Sequence, residues 1–202
     1  MAKLYAITHT EATHHVERRV GGWYDSELTQ SGHEHAERIA EALLARLDDP
    51  PHLYSSDLKR AEQTANPIAD AFNTTARLDG DLREVGCGVA EGKASGWLDE
   101  RIVFPPRDGE RLDHKICEGA ETRRTAATRI YRFMDRLLAA EHDSAIVVTH
   151  GFAVTFVISA WLGIPIEGLG HIVYRADPGS ITTLDLDIRW GSRRLVNLNE
   201  AV

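Results

Sequence analysis

Cysteine is scarce in this chain of 202 residues: Cys87 and Cys117 are the only two, and they form no Cys-x-x-Cys pair. That excludes a disulfide framework and a thiolate zinc site, and leaves two free thiols. Long apolar runs are missing as well. No stretch approaches the ~18 consecutive apolar residues of a membrane span. The N-terminus also lacks the basic-then-apolar pattern of a secretory signal, so a cytoplasmic protein with no membrane partner is expected. Positive charge is in deficit, with a formal net charge of −8. Without a basic stripe to meet a phosphate backbone, a nucleic-acid partner is not expected. An anionic small molecule remains compatible if its pocket is locally basic. What is present is ordinary for a globular fold, with 43% hydrophobic and 27% charged residues. The length suits one compact α/β domain over residues 1–202.

Two short apolar runs each end in Thr-His. Lys3-Leu4-Tyr5-Ala6-Ile7 leads into Thr8-His9-Thr10-Glu11, and Ala145-Ile146-Val147-Val148 leads into Thr149-His150-Gly151. Such runs read as strands buried on both faces. Further strands are expected at 52–55, around 76–78, at 180–186 and at 194–198. Helices are expected from about Ser31 to Leu47, from Leu58 with Ser56 or Asp57 as its cap, from Glu121 to about Ala140, and from Phe152 to Leu162. Pro67 marks a kink or break in the second of these. The Gly-, Pro- and charge-rich stretch 86–118 reads as a lid or insertion. The alternation predicts a three-layer, doubly wound, mostly parallel sheet flanked by helices, with an antiparallel C-terminal edge.

In open α/β sheets the working crevice lies beyond the carboxyl ends of the strands. His9 and His150 stand at two such ends, and Arg60 stands in the first turn of a helix that follows a strand. A helix N-terminus and a guanidinium both suit a phosphate or carboxylate oxyanion. Glu84, after a short extended run, is placed to manage a proton. Two imidazoles, a guanidinium and a carboxylate make a kit for phosphoryl chemistry without metal.

Four segments carry a resemblance to a known family. These are Thr8-His9-Thr10-Glu11 with the loop through Gly22 to Thr29, then Ser55-Ser56-Asp57-Leu58-Lys59-Arg60-Ala61-Glu62-Gln63-Thr64-Ala65, then Leu82-Arg83-Glu84-Val85 with Gly88 and Glu91-Gly92-Lys93, and finally Val147-Val148-Thr149-His150-Gly151. In this order they resemble the histidine phosphatase superfamily, the phosphoglycerate-mutase-like proteins. The resemblance implies a phosphohistidine on His9, with Glu84 as proton donor and then as the base that activates water. It implies that Arg60 and His150 clamp the phosphoryl group, with Gly22 and Gly151 beside it, and that no cofactor is needed. The function so implied is a metal-independent phosphomonoester hydrolase acting on a small phosphorylated metabolite, as a monomer or homodimer.

The chain departs from that pattern at three positions. Arginine and glycine of the first motif are Thr8 and Thr10 here, and the asparagine a few residues on is His15. A charge-assisted hydrogen bond contributes roughly 1.5–3 kcal/mol, so an uncompensated bidentate arginine loss costs about two to four orders of magnitude in rate. The Thr8 hydroxyl, His15 or His14 as a cation, and Arg18 or Arg19 are the candidate replacements. A protonated histidine in that role would make activity fall as pH rises past its pKa. The alternative is a degenerate, non-catalytic member that binds an anionic ligand or partner. A mutase is disfavoured because Leu82-Arg83-Glu84-Val85-Gly86 lacks the Asn-Glu-Arg-His-Tyr-like sequence expected there. His9, His14, His15, His33 and His35 show no ligand-grade spacing, so no metal site is expected.

Overall fold

The computed structural model describes residues 1–140 and 143–202. Six strands form one sheet in the order β3-β2-β4-β1-β5-β6, where β1 is Lys3–Thr8, β2 His52–Ser55, β3 Arg77–Leu78, β4 Ser144–Thr149, β5 Ile181–Asp187 and β6 Ser192–Glu200. The pairs β1·β4, β2·β4 and β2·β3 are parallel, while β5 and β6 close the edge antiparallel. This is the expected three-layer, mostly parallel α/β fold.

The alternation of each strand explains the layers. Leu4, Ala6, Ala145 and Val147 point to one face and join Ile130, Phe133 and Met134 of α5 (Arg123–Ala139) and the buried α6 (Ala153–Trp161). Tyr5, Ile7, Ile146 and Val148 point to the other and meet Ile39 and Leu43 of α2 (Gln30–Leu44) and Ala61, Ala65 and Ile68 of α3 (Lys59–Ala71). Both faces of β1 and β4 are covered, which is why neither strand has a polar face.

Of three local points, the first narrows an expectation, the second corrects one and the third is new. Pro67 does not end its helix: α3 continues through it to Ala71, because Ala65, Ile68 and Ala69 on either side are held in the core. Neither Ser56 nor Asp57 is the N-cap of α3, which is Leu58; the Lys59 N–H donates instead to Asp25 Oδ1 (2.8 Å) from the preceding loop. Asp57 is used elsewhere, in a bidentate pair with Arg83 that holds its carboxyl below the usual range. The third is an addition. Thr13–Val16 forms a four-residue helix, α1, for which the sequence has no apolar period. The stretch 86–118 contains a further short helix, α4 (Ser95–Asp99), and is otherwise mostly irregular.

Candidate active site

The parallel register Thr8↔Thr149 brings the two Thr-His ends side by side. As a result the His9 and His150 rings lie 5.1 Å apart. Arg60, the second residue of α3, completes the group: its Nε–H donates to His9 Nε2 at 3.1 Å. The guanidinium is 1% exposed. It is held by two carbonyls, with Nη1 donating to Tyr24 O (2.8 Å) and Nη2 to Gly22 O (2.7 Å). Gly22 lies in the left-handed region (φ 54°), and a Cβ there would stand 2.9 Å from the Cys87 nitrogen, so the carbonyl is aimed by a turn that glycine alone suits.

The tautomer of His9 follows from its partners. Nδ1 lies 2.8 Å from the Thr10 carbonyl, which only accepts, so Nδ1 carries the hydrogen and Nε2 carries the lone pair. That lone pair accepts the Arg60 Nε–H, and His9 lines a cavity of about 560 Å³ together with Thr8, Arg60, Glu84, Gly151 and Phe152. Burial, then the charge of Arg60, holds both His9 and His150 well below the ordinary imidazole range. Both rings are therefore neutral at neutral pH. His150 Nε2 pairs with Ser56 Oγ at 2.8 Å, and its Nδ1 has no partner among the described residues.

Glu84 lies on the same cavity wall, but its carboxylate also caps α6. Oε1 accepts from the N–H groups of Val85 (2.8 Å) and Ala153 (3.0 Å), and Oε2 from that of Phe152 (3.0 Å). The helix dipole and these donors set its orientation. Its main chain is tied down by two further side chains. Trp23 Nε1–H and Arg129 Nη2–H both donate to the Glu84 carbonyl, and Arg129 forms a bidentate, largely buried pair with Glu121. Only the charge of Arg129 was visible in sequence. Its partners lie at 81, 83, 84 and 121, on separate segments.

The replacements in the first motif resolve differently from expectation. Thr8 is buried and borders the cavity, and its hydroxyl has no partner among the described residues. Thr10 turns away, donating to Gly32 O at 2.8 Å. Arg18 and Arg19 do not line the cavity; Arg19 pairs with Glu17 on the surface, so neither replaces the arginine. His14 and His15 do reach the cavity, but not as cations. Burial and the neighbouring imidazole lower His14 to about 3, and burial followed by Arg60 lowers His15. The expected protonated histidine is thus corrected to two neutral rings.

The spacing argument against a metal cluster also fails. Helix α1 folds the chain back, so that one ligand nitrogen from each of His9, His14 and His15 lies within 4.8 Å of the others.

A doubly wound sheet with a histidine at each of two adjacent parallel strand ends, an arginine from a neighbouring helix and a carboxylate on the same cavity defines a class of phosphoryl-transfer proteins. The family profile described as histidine phosphatase superfamily (branch 1) matches residues 4–200. The chain belongs to that superfamily. A relative from Enterobacter sp. (strain 638), named probable phosphoglycerate mutase GpmB, is 34% identical over 173 residues, which is 82% of this chain and 77% of the relative. Among solved structures, mycobacterial hydrolase 1 superposes with a TM-score of 0.82 at 25% identity, covering 100% of this chain and 99% of that one. A mycobacterial glucosyl-3-phosphoglycerate phosphatase complexed with VO3 gives a TM-score of 0.80 at 24% identity, with both chains covered completely, and shares the fold. Among the described residues no helix is long and apolar enough to cross a membrane.

Proposed function

We propose that this protein hydrolyses a small phosphomonoester without metal, through a phosphohistidine on His9. The observation that carries this reading is the buried, neutral His9 imidazole on the cavity lining, its Nδ1 fixed by the Thr10 carbonyl and its Nε2 met by the Arg60 guanidinium. Nε2 attacks phosphorus as the bond to the substrate oxygen breaks, and Glu84, which takes up a proton brought by the ester bound as its monoanion, passes that proton to the leaving alkoxide. Water then attacks the phosphoramidate while Glu84 takes its proton, which releases phosphate and restores the imidazole.

Arg60 spends three of its five N–H hydrogens on His9, Tyr24 and Gly22, leaving two for a phosphoryl oxygen. As the lone pair of His9 moves to phosphorus, the Nε–H is released to the same anion. Thr8 supplies one hydroxyl, and the N–H of His15 Nε2 is a neutral donor, because its Nδ1 accepts from Ala12 N–H at 3.2 Å. Neutral donors in place of a guanidinium leave a weaker oxyanion site, worth roughly half the stabilisation per bond. The outer cavity adds Val85, Ile116 and Phe152 with Arg111 and Arg123, which suits a substrate with an apolar body and further negative charge.

The deciding experiment measures phosphate release from a panel of phosphorylated metabolites by chelator-treated protein, with His9→Ala alongside. Turnover that disappears in the variant is expected. No turnover by the wild type, with vanadate still bound, would favour the non-catalytic anion-binding alternative; equal turnover by His9→Ala would remove the proposed nucleophile.

A further inference from the structure

The three histidines around the cavity mouth have a chemistry that the hydrolytic reading does not use. The His14 and His15 rings lie 4.0 Å apart and stand 5.9 and 5.5 Å from the ring of His9. We propose that His9, His14 and His15 form a three-imidazole site for a divalent transition ion of the zinc class, with its remaining coordination position open to the cavity.

Zn–N bonds of about 2.0–2.1 Å in a tetrahedral site place ligand nitrogens ~3.4 Å apart. The present limit of 4.8 Å therefore closes by roughly 1.4 Å on binding, and one of the stacked His9 and His15 rings, now 11° from parallel, turns so that both lone pairs meet the ion. The ring able to make that movement is His15, the exposed member, carried on α1 rather than on the sheet. The other two are already oriented as ligands are. Imidazoles that bind metal through one nitrogen ordinarily hydrogen-bond through the other to a fixed group. His9 does so from Nδ1 to the Thr10 carbonyl, and His14 Nδ1 pairs with Ser26 Oγ at 2.7 Å. That leaves His14 Nε2 for the ion, while His9 Nε2 becomes available once the Arg60 Nε–H lets go of it. Gly21 provides the room for His14, since a Cβ there would lie 3.0 Å from His14 Nε2.

Two contacts must be exchanged: the 3.2 Å bond from Ala12 N–H to His15 Nδ1, and the Nε bond from Arg60 to His9. Arg60 keeps its two carbonyl partners when the second is lost. Its charge opposes a second cation, so affinity on the order of micromolar is expected rather than the far tighter binding of a closed structural zinc site. Three imidazoles with no thiolate suit zinc, cobalt, nickel or copper and not magnesium or calcium. The replacement of the motif arginine by Thr8 favours the ion by removing one cation from the same wall. The inference rests on the proposed function in one respect: the ion takes the lone pair that would attack phosphorus, so metal loading and phosphorylation of His9 exclude each other.

The test uses untagged, chelator-stripped full-length protein titrated with zinc or cobalt chloride. It is read by competition with a chromophoric chelator and by the visible absorption of bound cobalt. One equivalent should bind, with His15→Ala and His14→Ala each weakening it roughly 100-fold and the exposed control His33→Ala leaving it unchanged. His15 is exposed, so its variant retains the fold even if His14→Ala does not. Wild-type affinity no tighter than that of His15→Ala would overturn the site. These titrations contain no substrate, so they stand or fall separately from the hydrolysis. A phosphoryl-enzyme yield unchanged by one bound equivalent of zinc would remove His9 from the ligand set.

Discussion

Replacing Arg60 by methionine keeps the unbranched stem of the side chain and removes the guanidinium with its charge and all its donors. Three groups then lose their partner inside the protein: the carbonyls of Gly22 and Tyr24 and the Nε2 of His9. Each buried group so orphaned costs about 1–3 kcal/mol. Part of that sum is offset because the variant no longer takes a cation out of water, a burden visible in the lowering of the Arg60 pKa by burial. A net loss of about 3–5 kcal/mol follows, measured as a shift in the urea unfolding midpoint at neutral pH with chelator present. The loop from Gly21 to Ser26 should also become the first site of proteolytic cleavage, because Arg60 pins two of its carbonyls. Arg60→Lys should recover only part of the loss, since one ammonium cannot reach three acceptors laid out for a planar fork. An Arg60→Met protein within about 0.5 kcal/mol of wild type would refute the assignment of Arg60 as the tie between loop, His9 and α3.

Two more outcomes follow from the site. Glu84→Gln should lose about 1–2 kcal/mol of stability, because an amide no longer offers two acceptor oxygens and a charge to the start of α6. It should also lose turnover by roughly 10²–10⁴-fold on alkyl phosphates and much less on p-nitrophenyl phosphate, whose leaving group needs no proton; equal losses on both would make Glu84 an anchor only. Stability should fall in mild acid. Burial and the neighbouring imidazole push His14 down to about 3 in the folded protein, against about 6.5 for a free imidazole, so below pH 6.5 the unfolded chain binds a proton that the folded one refuses. Stability present above that pH is drained as pH drops toward 3, by about 2 kcal/mol at pH 5 from His14 alone. His9, His15 and His150 act in the same direction. Identical urea midpoints at pH 7.5 and 5.0 in chelator would contradict the neutral-ring assignment.

The sheet was readable because β1 and β4 are short, β-branched and apolar on both faces, a pattern that only a doubly covered central strand satisfies. His9, Arg60 and His150 were likewise readable as a group, since each follows the carboxyl end of a strand. The remainder depends on contacts that sequence spacing does not encode. Asp25 reaches α3 from a loop, and Arg129 reaches the backbone of Glu84 from α5. Helix α1 has four residues and no periodicity, so nothing in the sequence showed that His14 and His15 would turn back over His9. Their neutrality was hidden for the same reason. Desolvation is a property of the assembled pocket, and it reversed the expectation of a cation at that position.

Rapid acid-free quenching of a single turnover with ³²P-labelled substrate, under chelator, reads the chemistry of His9 itself. An acid-labile, alkali-stable label that maps to His9 and is absent from His9→Ala is the expected result. Phosphate released with no labelled intermediate, or label on any other residue, would contradict it.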